Sequence, residues 1–306
     1  MNIALKIVFG VALMALIIIK FDVVRSFGII GELPYIYVIS IISISFFGLF
    51  VQSAKTNILL PDVPLLQLFR INIISQIYAI VFFGQLGGDV AKAGYLGRSS
   101  VELHRIVAAL VVDRVTGLIP LLALGLIGLL ASPALFDPLV GRTLILAMIM
   151  LLLGSVALFL IGDSVMIRLL SWLPGRLSGP LIRTVGAARQ MSGNLPVLAK
   201  SIAMGVLFQG IGIANSALLG SALGIDLPLT IWAVVICAVS LVLLVPVSIG
   251  GVGVRDVTLL GLLGGFGVMP ERAIALSLSM LGVQLIMAAV GFMLTLRGAN
   301  AERGPR

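Results

Sequence analysis

Charged residues are scarce in this sequence: they make up 10% of the 306 positions, whereas hydrophobic residues make up 60%. A typical soluble domain carries about 25% charged residues. No stretch between the apolar runs is long enough to form a soluble domain of useful size. The apolar residues form solid blocks and do not alternate with polar ones, which excludes a membrane β-barrel. The composition therefore predicts a polytopic, all-helical membrane protein.

Cysteine and histidine are each present once, as Cys237 and His104. A single cysteine excludes an internal disulfide and a thiolate metal cluster, and a single histidine excludes a multi-histidine zinc or haem site. A nucleotide-binding loop of the form GxxxxGK[ST] is also absent. We therefore expect no metal, no cofactor and no ATP-driven transport, and we assign no catalytic residue.

Apolar runs recur along the whole length of the chain. A helix needs about 20 apolar residues to cross a hydrocarbon core of roughly 30 Å. The sequence predicts about eight spans, near residues 4–19, 36–52, 64–83, 112–131, 142–161, 201–223, 229–247 and 273–296. They are expected to form one integral membrane domain over residues 1–300, followed by a short tail over 301–306.

The net charge of +8 comes mainly from basic residues in short loops and tails. The positive-inside rule explains this distribution better than nucleic-acid binding does. The segment 162–200 mixes basic residues with leucines and a tryptophan, which is typical of a helix lying at the membrane interface. We expect this segment, the tail and the N-terminus to be cytoplasmic.

Two glycine-rich stretches interrupt the apolar pattern, Gly84–Arg98 and Pro246–Gly267. With both termini cytoplasmic, the number of passages is consistent only if the chain turns back at these stretches. Glycine permits such a turn, and a broken helix exposes N–H groups that attract an anion. We therefore predict two broken or re-entrant segments. Their occurrence in both halves leaves an inverted repeat open, because such repeats carry paired broken helices in transporters.

The two glycine-rich stretches also carry charge, which is costly at membrane depth. Asp89 and Lys92 stand at i and i+3 and share a helix face, and the second stretch contains Arg255 and Asp256. We predict that these four side chains line a polar cavity; the alternative is that they are interfacial residues that end a span. The glycines predicted to shape the backbone there are Gly87, Gly88, Gly250, Gly251 and Gly253.

Asp113 and Arg114 stand at the start of a strongly apolar helix. Adjacent residues point about 100° apart on a helix, so the two side chains need separate partners. They either mark a cytoplasmic helix end, or contact a headgroup or the broken helices. Three amides within other spans are expected to bond between helices: Gln209, Asn215 and Gln284.

Three segments together resemble a known family: GQLGGDVAKAGYLGR, ALVVDRVTGLIPLLAL and PVSIGGVGVRD. They are similar to the lysylphosphatidylglycerol synthase transmembrane, or flippase-like, family, which includes the membrane part of the bacterial multiple peptide resistance factor. The resemblance covers about residues 5–295, with Lys92 where arginine is commoner and Asp256 where glutamate is usual. The matching positions are Gly88, Asp89, Lys92, Ala93, Asp113, Arg114, Pro246, Ser248, Gly250, Gly251, Gly253, Arg255 and Asp256.

The resemblance implies a stand-alone, flippase-like protein of the bacterial inner membrane. Its partners would be membrane lipids, and it would bind or translocate an anionic, aminoacylated or glycosylated headgroup. The resistance factor's aminoacyl-transferase domain has no counterpart in these 306 residues, so we expect transport and not lysyl transfer. Two alternatives stay open: an intramembrane transferase acting on a lipid-linked substrate, and a non-catalytic partner subunit of a glycolipid or isoprenoid-lipid synthesis complex.

Overall fold

The computed structural model describes residues 19, 23–82, 84–99, 101–132, 138–160, 175–244 and 251–301. These residues form eleven helices and no strand. The helices are α1 (Val23–Gly31), α2 (Tyr35–Leu59), α3 (Leu65–Val81), α4 (Gln85–Leu96), α5 (Leu103–Ala131), α6 (Pro138–Leu160), α7 (Gly175–Gly193), α8 (Leu195–Ala222), α9 (Leu229–Leu244), α10 (Val254–Gly264) and α11 (Pro270–Ala301).

Four of the described helices are long and apolar enough to cross a membrane: α2, α5, α8 and the part of α11 over Pro270–Arg297. Shorter apolar helices accompany them, namely α3, α9 and the Gly141–Ala157 part of α6. The predicted all-helical, multi-pass membrane protein is confirmed, whereas the number of about eight spans stays a prediction. Except for Ile19, the first predicted span lies outside the described residues.

Helices α2 and α5 are among those that extend past the apolar runs that predicted them. Helix α2 continues beyond residue 52, and α5 begins before residue 112. A charged residue interrupts an apolar run without ending a helix if the charge finds a partner. Lys55 in the first extension pairs with Asp113 at 3.3 Å, and Arg105 in the second pairs with Asp62 at 3.0 Å.

The basic segment 162–200 contains helix α7, which packs against α5 and α8. Arg189 of α7 donates a hydrogen bond to the carbonyl oxygen of Phe159 at 2.7 Å. The Asn194 side chain then caps α8 by accepting the Val197 N–H at 3.3 Å. Residues 161–174 lie outside the described part, and the interfacial position of the segment stays a prediction.

Both glycine-rich stretches contain a backbone break followed by a short helix, as the sequence predicted. Gly84, between α3 and α4, has a φ of 62°, and Gly251 and Gly253, before α10, have φ values of 79° and 82°. Only glycine adopts this left-handed backbone without a steric cost. The short helices have 12 residues in α4 and 11 in α10.

The two halves of the chain repeat one pattern of helix contacts. Each half runs from an apolar helix through a glycine break into a short helix and then a long one, as α3–α4–α5 and α9–α10–α11. Each short helix packs on the helices before and after it. The halves interlock, because α3 packs on α11, α9 packs on α5, and α2 packs on α8. This arrangement supports the repeat, while its inversion across a membrane stays a prediction.

Glycines bring the interlocking helices close together. A Cβ added at Gly291 of α11 would lie 2.5 Å from the carbonyl oxygen of Ile73 in α3. A Cβ added at Gly128 of α5 would overlap the carbonyl oxygen of Thr230 in α9. Small residues let membrane helices approach closely, which raises the packing energy between them. The two crossings therefore hold the halves together.

Candidate functional site

Asp89, on the short helix α4, contacts two basic side chains. Its Oδ2 accepts a hydrogen bond from Nε of Arg114 on α5, and its Oδ1 lies 3.7 Å from Nζ of Lys92, one turn further along α4. The i, i+3 spacing predicted the contact with Lys92. The contact with Arg114 joins one of the predicted broken helices to the long helix that follows it. One carboxylate therefore holds two cations in place.

A second ion pair joins α2 to α5. Nζ of Lys55 lies 3.3 Å from Oδ1 of Asp113, and the side chains are only 4% and 11% exposed. The same Nζ donates a hydrogen bond to the main-chain oxygen of Asp113. Asp113 and Arg114 thus have separate partners, as their angular separation requires.

Sequence reasoning missed Lys55 as a site residue. A signal was present in the sequence, because Lys55 is the only charged residue between Tyr35 and Leu59. An ionisable side chain in such a helix faces the bundle interior and pairs with another charge. The acid that it pairs with is separated from it by 58 residues, and only the packing of α2 against α5 identifies it.

Two cavities meet at Asp89. The first has a volume of about 290 Å³ and lies among α2, α3, α4, α8 and α11. The second has a volume of about 450 Å³ and lies among α2, α4, α5, α8 and α9. Five residues line both: Gln52, Gln85, Asp89, Phe208 and Gly212. We call the two cavities together the polar groove.

The polar groove has more positive than negative charge. Lys92 lines the first cavity, Lys55 and Arg114 line the second, and the acids are Asp89 and Asp113. Each acid already contacts at least one of the bases. Clustered basic side chains in a low-dielectric surrounding raise the local concentration of anions. The groove is therefore suited to an anionic group.

The part of the chain that the structure describes has no cluster of three histidine, cysteine, aspartate or glutamate residues that could hold a metal ion. The side chains around the groove are instead donors and acceptors of hydrogen bonds and fixed charges. This chemistry supports reversible binding of a polar group among apolar helices.

The profile of one protein family, described as the lysylphosphatidylglycerol synthase TM region, matches residues 3–291. The chain belongs to this family. The match contains the polar groove and both short helices. No curated protein and no solved structure matches the chain. Membership in the lysylphosphatidylglycerol synthase TM region family makes this a multi-pass membrane protein related to lipid modification or transport.

The second charged motif of this family member does not line the polar groove. Nε of Arg255 donates to Oγ of Ser277 on α11 at 3.0 Å, and both residues are buried. Asp256 accepts the main-chain N–H of Gly253 at 2.7 Å and so caps α10. Neither Arg255 nor Asp256 lines either of the two cavities. The structure thus brings together Asp89, Lys92, Asp113 and Arg114 and places the second pair elsewhere.

The motif glycines shape the backbone around both short helices. A Cβ at Gly87 would lie 2.7 Å from the carbonyl oxygen of Tyr78, and one at Gly88 would lie 3.3 Å from that of Ser75. These two glycines let α4 fold back onto α3. Gly251 and Gly253 supply the left-handed turn before α10, and Gly250 lies outside the described residues.

The three amides expected to bond between helices behave differently. Gln209 donates to the carbonyl oxygen of Gly117 at 3.1 Å, and Asn215 donates to Oγ of Ser45 at 2.9 Å, so both expectations are confirmed. The side chain of Gln284 makes no hydrogen bond within the part of the chain that the structure describes, so its expected bond stays a prediction. It lines the first cavity, where a ligand or water can satisfy it.

Proposed function

We propose that this chain binds the anionic headgroup of a membrane lipid in the polar groove and moves it between the two leaflets. The observation that supports this proposal is the set of three bases and two acids that line the two cavities, with Asp89 at their junction. A charged headgroup crosses bare hydrocarbon only at a very high cost in free energy. Fixed charges and amides between apolar helices replace the water that the headgroup loses and so lower that cost.

The excess of basic over acidic side chains in the groove favours an anion as the bound group. Arg114 presents a guanidinium that can bind a phosphate in a fixed geometry, and Lys92 and Lys55 add ammonium donors. Asp89 and Asp113 hold these cations in position. The assignment covers the phosphate of an anionic, aminoacylated or glycosylated lipid. Arg255 and Asp256 are proposed to hold α10 in place in the second half of the chain.

The proposal places one flippase-like domain, over residues 1–300, in the inner membrane of a bacterium, with both termini and the tail over 301–306 in the cytoplasm. The short helices α4 and α10 form the broken segments of the membrane domain. Accessibility of single introduced cysteines, in a Cys237→Ala background, to a membrane-impermeant thiol reagent tests this orientation. Labelling of a cysteine at position 105 from the outer face of intact cells would contradict it.

Lipid translocation in reconstituted vesicles tests the proposed function. Fluorescently labelled anionic and aminoacylated phospholipids are followed by quenching of the outer leaflet, with wild type compared with Arg114→Gln. We expect the variant to lose most of the translocation rate, because it removes the charge beside Asp89. Arg105→Gln is the matched control: it also removes an arginine of α5, but its partner Asp62 is half exposed and outside the groove.

Each result of this assay has a separate meaning. Equal rates for wild type and Arg114→Gln would overturn the assignment of the groove. A chemically changed lipid in the vesicle extract would support the intramembrane transferase instead. No leaflet change and no product with any lipid would support the partner-subunit function, and copurification with a lipid-synthesis enzyme would then test it.

A further inference from the structure

The first cavity of the polar groove is lined by unpaired amides. Three glutamine side chains make no hydrogen bond within the described residues, namely those of Gln52, Gln76 and Gln284. Asn215 donates to Ser45 at 2.9 Å, yet its Oδ1 is buried and accepts no hydrogen bond there. Polar groups between apolar helices are costly unless they are satisfied. A bound group that donates and accepts several hydrogen bonds would satisfy them.

A primary amide offers both donors and an acceptor. Hydroxyl groups have the same dual character, so a ring or chain with several hydroxyls can bond to several amides at once. The cavity of about 290 Å³ exceeds the volume of a water molecule, about 30 Å³, many times over. It has room for a headgroup substituent the size of a sugar or polyol.

The charges of this cavity do not suit a cationic substituent. Its acid is Asp89, which already contacts both Arg114 and Lys92. An ammonium group, as in an aminoacyl headgroup, would have to displace one of these bases or lie beside it. A neutral substituent meets neither difficulty.

We propose that the first cavity is a subsite for a neutral polyhydroxylated group, and that the substrate class is a lipid whose phosphate carries a sugar or polyol. This inference rests on the proposed function, because it places the lipid phosphate at Lys92 and Arg114. The sugar or polyol then occupies the space between Gln76 on α3, Asn215 on α8 and Gln284 on α11. The amides thus select the substituent and the bases hold the phosphate.

Native mass spectrometry of the purified full chain tests the subsite. The probes are phosphatidylinositol, phosphatidylmethanol and lysylphosphatidylglycerol; the first two have the same charge and differ in the polyol. Each hydrogen bond between an amide side chain and a neutral hydroxyl strengthens binding by roughly two- to twelvefold. We therefore expect wild type to prefer phosphatidylinositol over phosphatidylmethanol by about tenfold or more. The double variant Gln76→Leu with Gln284→Leu should reduce this preference to near unity and leave phosphatidylmethanol binding unchanged.

Gln67→Leu is the control, because Gln67 is an exposed glutamine of the same helix α3 outside both cavities. It should retain the wild-type preference. Equal binding of the first two lipids by wild type, or tighter binding of lysylphosphatidylglycerol, would overturn the subsite. Failure of the proposed function has a different signature: Lys92→Met and Arg114→Gln would then bind phosphatidylmethanol as well as wild type does. If the double variant does not fold, Gln284→Leu alone should reduce the preference from about tenfold to about threefold, and an unchanged preference would overturn the subsite.

Discussion

Lys55 contacts both the side chain and the main chain of Asp113. Its Nζ lies 3.3 Å from the carboxylate and also donates to the carbonyl oxygen of the same residue. This double contact ties α2 to α5 at the wall of the second cavity. Because both side chains are almost fully buried, this ion pair contributes to the stability of the protein as well as to the charge of the cavity wall. Substitutions can separate the two contributions.

Lys55→Met should destabilise the protein by about 3–5 kcal/mol, because it leaves the buried Asp113 carboxylate without its ion-pair partner. Asp113→Asn in the same chain should recover much of this loss, since it removes the unpaired charge. Unfolding by SDS in mixed micelles, followed by circular dichroism, measures both changes. A double variant no more stable than Lys55→Met would contradict the reason given.

Arg255→Ala should abolish lipid translocation while the protein still inserts into the membrane. Arg255 is buried and donates a hydrogen bond to Ser277, so its loss removes a buried polar contact between α10 and α11. Ser277→Ala removes the acceptor and keeps the charge, so it separates the hydrogen bond from the guanidinium. The vesicle assay measures the rates, and membrane fractionation measures insertion. Full translocation by Arg255→Ala would show that the second motif is dispensable.

Gly291→Ala should destabilise the protein by about 1–3 kcal/mol through overpacking. The added methyl group would lie 2.5 Å from the carbonyl oxygen of Ile73, so α3 and α11 would have to move apart. Gly282→Ala in the same helix has open space at the Cβ position and is the control. Unfolding in mixed micelles compares the two, and equal effects would contradict the close approach of the helices.

Gly84→Ala and Gly94→Ala should change stability in opposite directions, although both positions have open space for a methyl group. Gly84 has a φ of 62°, where an L residue is disfavoured by roughly 1–2 kcal/mol. Gly94 lies within helix α4, where alanine stabilises by about 0.5–1 kcal/mol relative to glycine. The same unfolding measurement checks both signs. A stabilising Gly84→Ala would show that the break at α4 does not need glycine.

The sequence predicted the two backbone breaks because glycine has a local reason to stand there. It also predicted the contact of Asp89 with Lys92, since a helix fixes the distance between positions i and i+3. The contacts of Asp89 with Arg114 and of Lys55 with Asp113 could not be predicted in the same way. They depend on how α2, α4 and α5 pack, and no local pattern encodes that packing.

The contacts of the amide side chains also could not be predicted from local sequence. Gln209 and Gln284 both stand inside apolar helices, and nothing in their neighbours distinguishes them. Both side chains line a cavity, but Gln209 also donates to a carbonyl oxygen of α5, whereas Gln284 makes no hydrogen bond within the described residues. The difference arises from the space left between α11 and the helices around it. Gln209 follows the expectation of a bond between helices, and for Gln284 that expectation stays a prediction.

The interlocked contacts of the two halves have a consequence for biosynthesis. Helix α3 leaves the ribosome well before α11, its packing partner, has been made. Until then, lipid or a membrane chaperone must cover the face of α3 around Ile73. Insertion and assembly are therefore separate stages, as in the two-stage description of membrane-protein folding. Chains stalled before α11 would be inserted yet unassembled, and so would be preferred targets for membrane proteases.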